Sequence, residues 1–352
     1  MTHGGLRNSR VNRKSSDCST FLIRLVFPGL VVLLPPFPAP TVTADDSAAV
    51  IDLARALGAG FSVTPSAHFN VVSNVDSAGV LGLIRAAETT FERVTEFSQR
   101  MGFRPPQLSQ PMTVVYFNTW PQYEAYAQKE KFVVQEVVPG FFDERGNRCI
   151  IFNFENSNMI RAKREELAVA QAEANRKSSS NSSGRRVETR RRRTNELERQ
   201  INQNLELIRA VVIQHEIAHE VLFNLGLQRP LDHRRRWLKE GLAMQFETTT
   251  TPNAHRLADF RDIDWGGRPP TIRSIIEDPT LVGPGAAAPQ RAYAAAWALC
   301  YYLIQTHPRE FERYLRAPPS GGRAGDLEDF AAIFGAIEPL EQNWLEFMYN
   351  LH

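Results

Sequence analysis

The stretch "VVIQHEIAHEVLFNL", residues 211–225, sets His215, Glu216 and His219 inside a run that otherwise reads as a buried helix. Residues four apart lie one above the other on a helix, so His215 and His219 present two ring nitrogens to one point in space. Glu216, one step round, reaches the side of that point. Two neutral nitrogen ligands at about 2.0–2.1 Å, with a carboxylate beside an open coordination position, form the arrangement a catalytic zinc ion uses. A surface helix with two solvent-facing histidines would give the same spacing. The apolar flanks "LIRAVVI" and "VLFNL" argue instead for burial, and an unpartnered buried histidine or glutamate is unfavourable.

Two histidines leave a zinc ion short of a third protein ligand. The best candidate lies downstream in "RRWLKEGLAMQFE" (235–247), where Glu240 sits among Trp237, Leu238, Leu242, Ala243, Met244 and Phe246. A lone carboxylate in so apolar a helix is hard to explain by packing. Glu247, seven residues on, shares roughly the same face and stands as the rival ligand, or as a solvent-exposed helix end.

Outward from these helices the pattern is mixed. A short helix is expected within 45–61, a strand at "HFNVVSN" (68–74), a long helix from about 76 to 100, a strand at "MTVVYFN" (112–118) and a short helix over 120–130. A third strand is expected at "RCIIFNF" (148–154), after the turn "DERGN". Strands interleaved with helices at the front, then helices to the end, define an α+β class with a small sheet preceding a mainly helical part. Residues 176–193, "RKSSSNSSGRRVETRRRR", hold eight Lys/Arg against one Glu and no apolar period, which reads as a solvated, disordered insertion between two helices. The segment has no aromatic residues on which bases could stack, so a nucleic-acid partner is not expected.

The chain has 352 residues, 43% hydrophobic and 23% charged, enough for a sizeable core and unlike a disordered or fibrous protein. Its first 44 residues differ from the rest. Arg7, Arg10, Arg13, Lys14 and Arg24 precede the apolar run "LVFPGLVVLL" (25–34), and a Val-x-Ala pattern ends at Ala44. These are the marks of a secretory signal peptide over residues 1–44, with 45–352 as the mature chain. The run is short for a bilayer span, and contact with a membrane is expected only if the segment stays uncleaved. Of 41 Lys/Arg and 39 Asp/Glu the leader holds five and one, leaving 36 and 38, so the mature chain is slightly acidic. Its two cysteines, Cys149 and Cys300, are read either as a pair or as two buried free thiols. An exported location follows: periplasmic, envelope-bound or extracellular.

"HEIAHEVLFN" followed by "WLKEGLA" resembles the gluzincin metallopeptidases, whose H-E-x-x-H helix is followed by a W-L-x-E-G-x-A helix completing the zinc site. Twenty residues separate His219 from Glu240, two more than in the aminopeptidase branch. More closely, residues 68–350 resemble an uncharacterised exported bacterial family of the peptidase-MA-like group. The resemblance implies a zincin-like metallopeptidase domain, zinc held by His215, His219 and Glu240, Glu216 as general base, and a peptide or protein substrate. It also implies an oxyanion donor at the start of a later helix, where Tyr293 stands; Tyr293 as a packing residue, and Tyr301 or Tyr302 in its place, are the alternatives. By position in the resemblance "RCIIFNF" is the candidate edge strand for an extended substrate, or else an interior strand. No G-x-M-E-N motif precedes the zinc helix, which favours an endopeptidase or processing enzyme over an aminopeptidase. A non-catalytic envelope protein retaining the fold is the alternative. His233 and His255, in polar contexts, are expected at the surface.

Overall fold

Adjacent valines 71 and 72, and again 114 and 115, point to opposite faces of a strand, and each member of each pair is fully buried. The sheet therefore carries a core on both sides. Val71, Val114, Cys149 and Ile151 face one cluster, while Val72, Val115, Ile150 and Phe152 face the other. The computed structural model describes residues 46–178, 184–229, 235–249, 252–263, 265, 268–277, 289–320 and 323–351. The expected leader and His233 lie outside the described residues. No helix among the described residues is long and apolar enough to cross a membrane.

Helix α1 (Asp46–Leu57) leads into β1 (Ser62–Pro65) and β2 (Phe69–Ser73), then α2 (Ser77–Arg100), β3 (Met112–Phe117), α3 (Trp120–Lys129), and the hairpin β4 (Gly140–Asp143) and β5 (Arg148–Phe152). The sheet order is β1-β2-β3-β5-β4, with β2, β3 and β5 parallel and the two outer strands antiparallel to their neighbours. The α+β class expected from the sequence is what the chain adopts, a small mixed sheet followed by helices. Two short strands escaped the reading. "SVTP" is only four residues long, and "GFFD" lacks the β-branched residues that mark a strand. The consequence falls on "RCIIFNF": β5 lies between β3 and β4, so it is interior, and β4 is the outer strand beside the histidine helix.

The helical part begins with α4 (Asn158–Ser178) and α5 (Gly184–Asn224), which pack side by side. Of residues 176–193, 176–178 and 184–193 are helical, and 179–183 lie outside the described residues. Arginine is a good helix former, and Glu188 pairs with Arg192 one turn on at 2.9 Å. Thr194, Ile201 and Leu205 then carry the same helix into the core without any break. At 41 residues, α5 is about 60 Å long. It ends in a Schellman turn: Gly226 has φ +77°, Leu227 N–H donates to the Leu222 carbonyl at 2.8 Å and Gly226 N–H to that of Phe223 at 3.0 Å.

Helix α6 (Arg236–Ala243), followed by a 3₁₀ turn (Met244–Phe246), is buried almost all round and fixed at both ends. At its start Arg235 meets Asp326 at 2.7 Å and Asp329 at 3.2 Å, donates to the Tyr314 and Ala317 carbonyls, and lies 4.0 Å over the Tyr314 ring. At its end Arg93, reaching from α2, donates to the Phe246 carbonyl at 2.8 Å and the Gln245 carbonyl at 3.3 Å. In between, α6 packs on α9 (Pro289–Thr306). The remaining helices are α7 (Ala254–Asp262), α8 (Ile272–Glu277), α10 (Pro308–Arg316), α11 (Arg323–Phe334) and α12 (Ile337–Asn350). Cys149 and Cys300 are both buried free thiols, so the pairing alternative falls away.

The approach of α6 to α9 leaves no room for a side chain at Gly241: a Cβ there would stand 2.5 Å from the Ala296 carbonyl oxygen and 2.5 Å from Cys300 Sγ. The first obstacle is backbone and cannot rotate away. Gly241→Ala is expected to lose at least about 3 kcal/mol of stability, the upper range for overpacking, as read by urea or thermal unfolding. A midpoint unchanged from wild type would show that the two helices separate freely.

Candidate metal centre

His215 and His219 lie on α5 and Glu240 on α6, and the three side chains are buried together. The His215 and His219 Nε2 atoms are 3.1 Å apart, and Glu240 Oε2 stands 3.3 Å from the first and 3.4 Å from the second. A tetrahedral ion with bonds of about 2.0–2.1 Å separates its ligand atoms by about 3.3 Å, so the spacing of the triangle fits one face of such a site.

The hydrogen bonds behind the imidazoles fix their tautomers. His215 Nδ1 is 3.1 Å from Glu247 Oε1, and the only hydrogen available to that contact is on the imidazole, because Glu247 is held ionised. Burial would raise the Glu247 carboxyl, but Arg256 and His215 overrule it and bring it down to about 2. His219 Nδ1 is 3.2 Å from Gln228 Oε1, and Gln228 Nε2 donates to the Lys239 carbonyl at 3.2 Å, so the amide oxygen faces the ring and His219 also donates from Nδ1. Both Nε2 lone pairs therefore point into the triangle, together with a carboxylate oxygen. Three acceptors so close need a cation among them. The same demand appears in the proton affinity of His215. Burial would lower it, yet its contacts with Glu240 and Glu247 raise it to about 10.

The Schellman turn is what brings Gln228 back onto His219, four residues past the last turn of α5. The hairpin tip is tied to the same region. Asn147, at φ 45°, exchanges amide hydrogen bonds of 2.9 Å with Asn224, and Glu144 pairs with Lys239 on α6. Glu216 is buried and its carboxyl is raised by burial, partly offset by His215 and His219; it also accepts from the Phe142 N–H on β4. The Tyr293 phenol, buried at the start of α9, lies in the field of Glu240 and Glu216 and bonds with Arg236. Burial first, then those two carboxylates, pushes its ionisation well above the usual range. Arg236 Nε in turn stands 3.7 Å from Glu240 Oε1, the oxygen turned away from the triangle. Glu240 is held well below the usual carboxylate range: burial acts against this, and His219, His215 and Arg236 outweigh it.

All five residues singled out in the sequence thus converge, His215, Glu216, His219, Glu240 and Tyr293. Tyr301 and Tyr302 serve packing instead, Tyr301 stacked on Trp297 and Tyr302 against Phe347. His255 is half-buried, facing Asp259 at 3.6 Å. Glu247 is neither a ligand nor an exposed helix end: it is fully buried and supports His215. Its place on the Glu240 face, seven residues on, was the available signal. Gln228, Arg256 and Asn253 carried none, because their roles depend on turns that join separate helices.

Residues 209–320 match the family described as "Protein of unknown function (DUF1570)". The matched segment holds the three candidate ligands, Glu216, Glu247, Arg256 and Tyr293, and the sheet lies outside it. No curated protein matches the chain.

Purified protein supplied with a divalent metal is expected to hold about one ion per chain by elemental analysis, and His215→Ala or Glu240→Ala to lose it, since two remaining ligands do not make a tight site. Full retention in either variant would remove that residue from the ligand set.

Proposed function

We propose that the chain is an exported zinc metallopeptidase of the gluzincin kind, an endopeptidase or processing enzyme acting on a peptide or protein substrate. The observation that carries the reading is the buried His215–His219–Glu240 triangle with a buried carboxyl, Glu216, in the field of all three. The likeness of "HEIAHE" and "WLKEGLA" to the gluzincin helices supports it, as does the signal-like leader. A zinc ion held by this N, N, O set would supply Lewis-acid activation of the scissile carbonyl and of the attacking water.

The chain's own residues take the remaining roles. Glu216 accepts the proton of the attacking water and returns it to the leaving amine; burial raises its carboxyl, which favours uptake of that proton. Tyr293 stays protonated throughout because its ionisation is pushed well above the usual range, and it donates to the oxyanion of the tetrahedral intermediate. Strand β4 aligns the substrate. Phe152 N–H donates inward to the Pro139 carbonyl at 2.7 Å, so by the antiparallel alternation the backbone groups of Gly140 and Phe142 face away from β5. The Phe142 N–H meets the Glu216 carboxylate, so that side chain lies beside the outer edge. An extended peptide added along β4 would present its carbonyl beside the base.

Glu216→Gln is expected to keep the metal and lose hydrolysis of a peptide library, a drop of at least about 10²–10⁴-fold for removal of the general base. Hydrolysis at the wild-type rate would overturn the role. Tyr293→Phe is expected to lower kcat by about 10²–10³-fold with KM little changed, because the lost donor acts only on the transition state. A change confined to KM would make Tyr293 a substrate-binding residue.

A further inference from the structure

Helix α7 carries none of the candidate ligands, yet one of its side chains reaches the centre through Glu247. Arg256 grips both oxygens of that carboxylate, Nε to Oε2 at 2.7 Å and the terminal nitrogen to Oε1 at 2.6 Å. Asn253 Nδ2 adds a third donor to Oε2 at 3.3 Å, and the Asn253 side-chain oxygen caps α7 by accepting from the Arg256 N–H, also at 3.3 Å. The Arg256 and Glu247 side chains are 6% and 0% exposed. Arg256 also faces Asp259 at 3.6 Å, and a buried charge of either sign is expensive to leave alone. Leu257 and Phe260, both buried, hold α7 itself in the core.

We infer that Arg256 is a positioning residue that sets the affinity of the metal centre, acting from α7 through Glu247 on His215. The two-pronged grip fixes the plane of the Glu247 carboxylate. That plane fixes where Oε1 can accept from His215 Nδ1, and hence where the Nε2 lone pair points. The other histidine is held differently, by the neutral amide of Gln228, so the two ligands are supported by unlike partners. Without Arg256, Glu247 keeps its burial and loses its countercharge. It then turns from the place where the grip held it, and His215 loses its acceptor.

The inference rests on the metal-centre reading, and one titration separates the two. Zn²⁺ affinity is measured by competition with a chromophoric chelator for the full mature chain, wild type beside Arg256→Gln, Arg256→Lys, Glu247→Gln and the double variant Arg256→Gln/Glu247→Gln. Arg256→Gln is expected to bind about 10–100-fold more weakly, the usual penalty for removing support behind a ligand. Arg256→Lys, which keeps the charge without the two-pronged grip, should fall between. The double variant should match Glu247→Gln in metal affinity, because the inferred route from Arg256 to His215 runs through Glu247. Circular dichroism and metal-free melting temperature exclude gross unfolding, and if Arg256→Gln does not fold then Arg256→Lys decides. A wild type that binds no zinc defeats the metal-centre reading itself. A wild type that binds, with Arg256→Gln and Arg256→Lys within twofold of it, defeats the inference alone. So do losses that multiply in the double variant.

Discussion

Three acceptor atoms, two imidazole nitrogens and a carboxylate oxygen, face one another at 3.1–3.4 Å inside an apolar interior. No chain collapses into that arrangement to bury apolar surface, because each atom is more stable in water or apart from the others. The surrounding fold must therefore hold what the three side chains would otherwise undo. Arg235 and Arg93 fix the two ends of α6, Gly241 allows it to lie against α9, and the Gly226 turn folds the chain back so that Gln228 supports His219. Each is a local feature with a plain physical cause, and together they leave α5 and α6 little freedom to separate.

Support behind the two histidines is unequal. Glu247 carries a full charge, countered by Arg256, and pulls on the His215 proton; Gln228 is a neutral dipole anchored to the Lys239 carbonyl. A charge-assisted hydrogen bond is roughly twice as strong as a neutral one, so His215 is the better-oriented and more electron-rich of the pair. The charged support thus lies on the side of α7 and the neutral one on the side of Lys239, which also meets Glu144 of the β4–β5 hairpin.

Much of this was legible in the sequence because it depends on local periodicity. The strands expected at 68–74, 112–118 and 148–154 are found at 69–73, 112–117 and 148–152, and the long helix expected over 76–100 is found at 77–100. His215, Glu216 and His219 were visible because a spacing of four on a helix has one geometric meaning. Glu240 was visible because a carboxylate among Trp237, Leu238 and Leu242 demands a partner. What the sequence did not reveal has a common cause. The strand "GFFD" exists because β5 pairs with it, the helix over 184–193 runs on into a packed segment, and Glu247 is buried because Arg256 and Asn253 come to it from another helix. Each is decided by a partner or a continuation outside the element's own few residues, so the pattern of that element alone did not carry it.

The two free thiols lie on the seams around the centre. Cys149 donates from β5 to the Glu216 carbonyl at 3.0 Å, under α5, and Cys300 on α9 lies against Gly241 of α6. Burial pushes both well above the ordinary thiol range, so neither is a nucleophile while its seam is closed. Each becomes reactive only when its own pair of elements parts. The chain therefore carries two independent clocks: alkylation of Cys149 times the lifting of the histidine helix from the sheet, and alkylation of Cys300 times the parting of the helix that carries Glu240 from its neighbour.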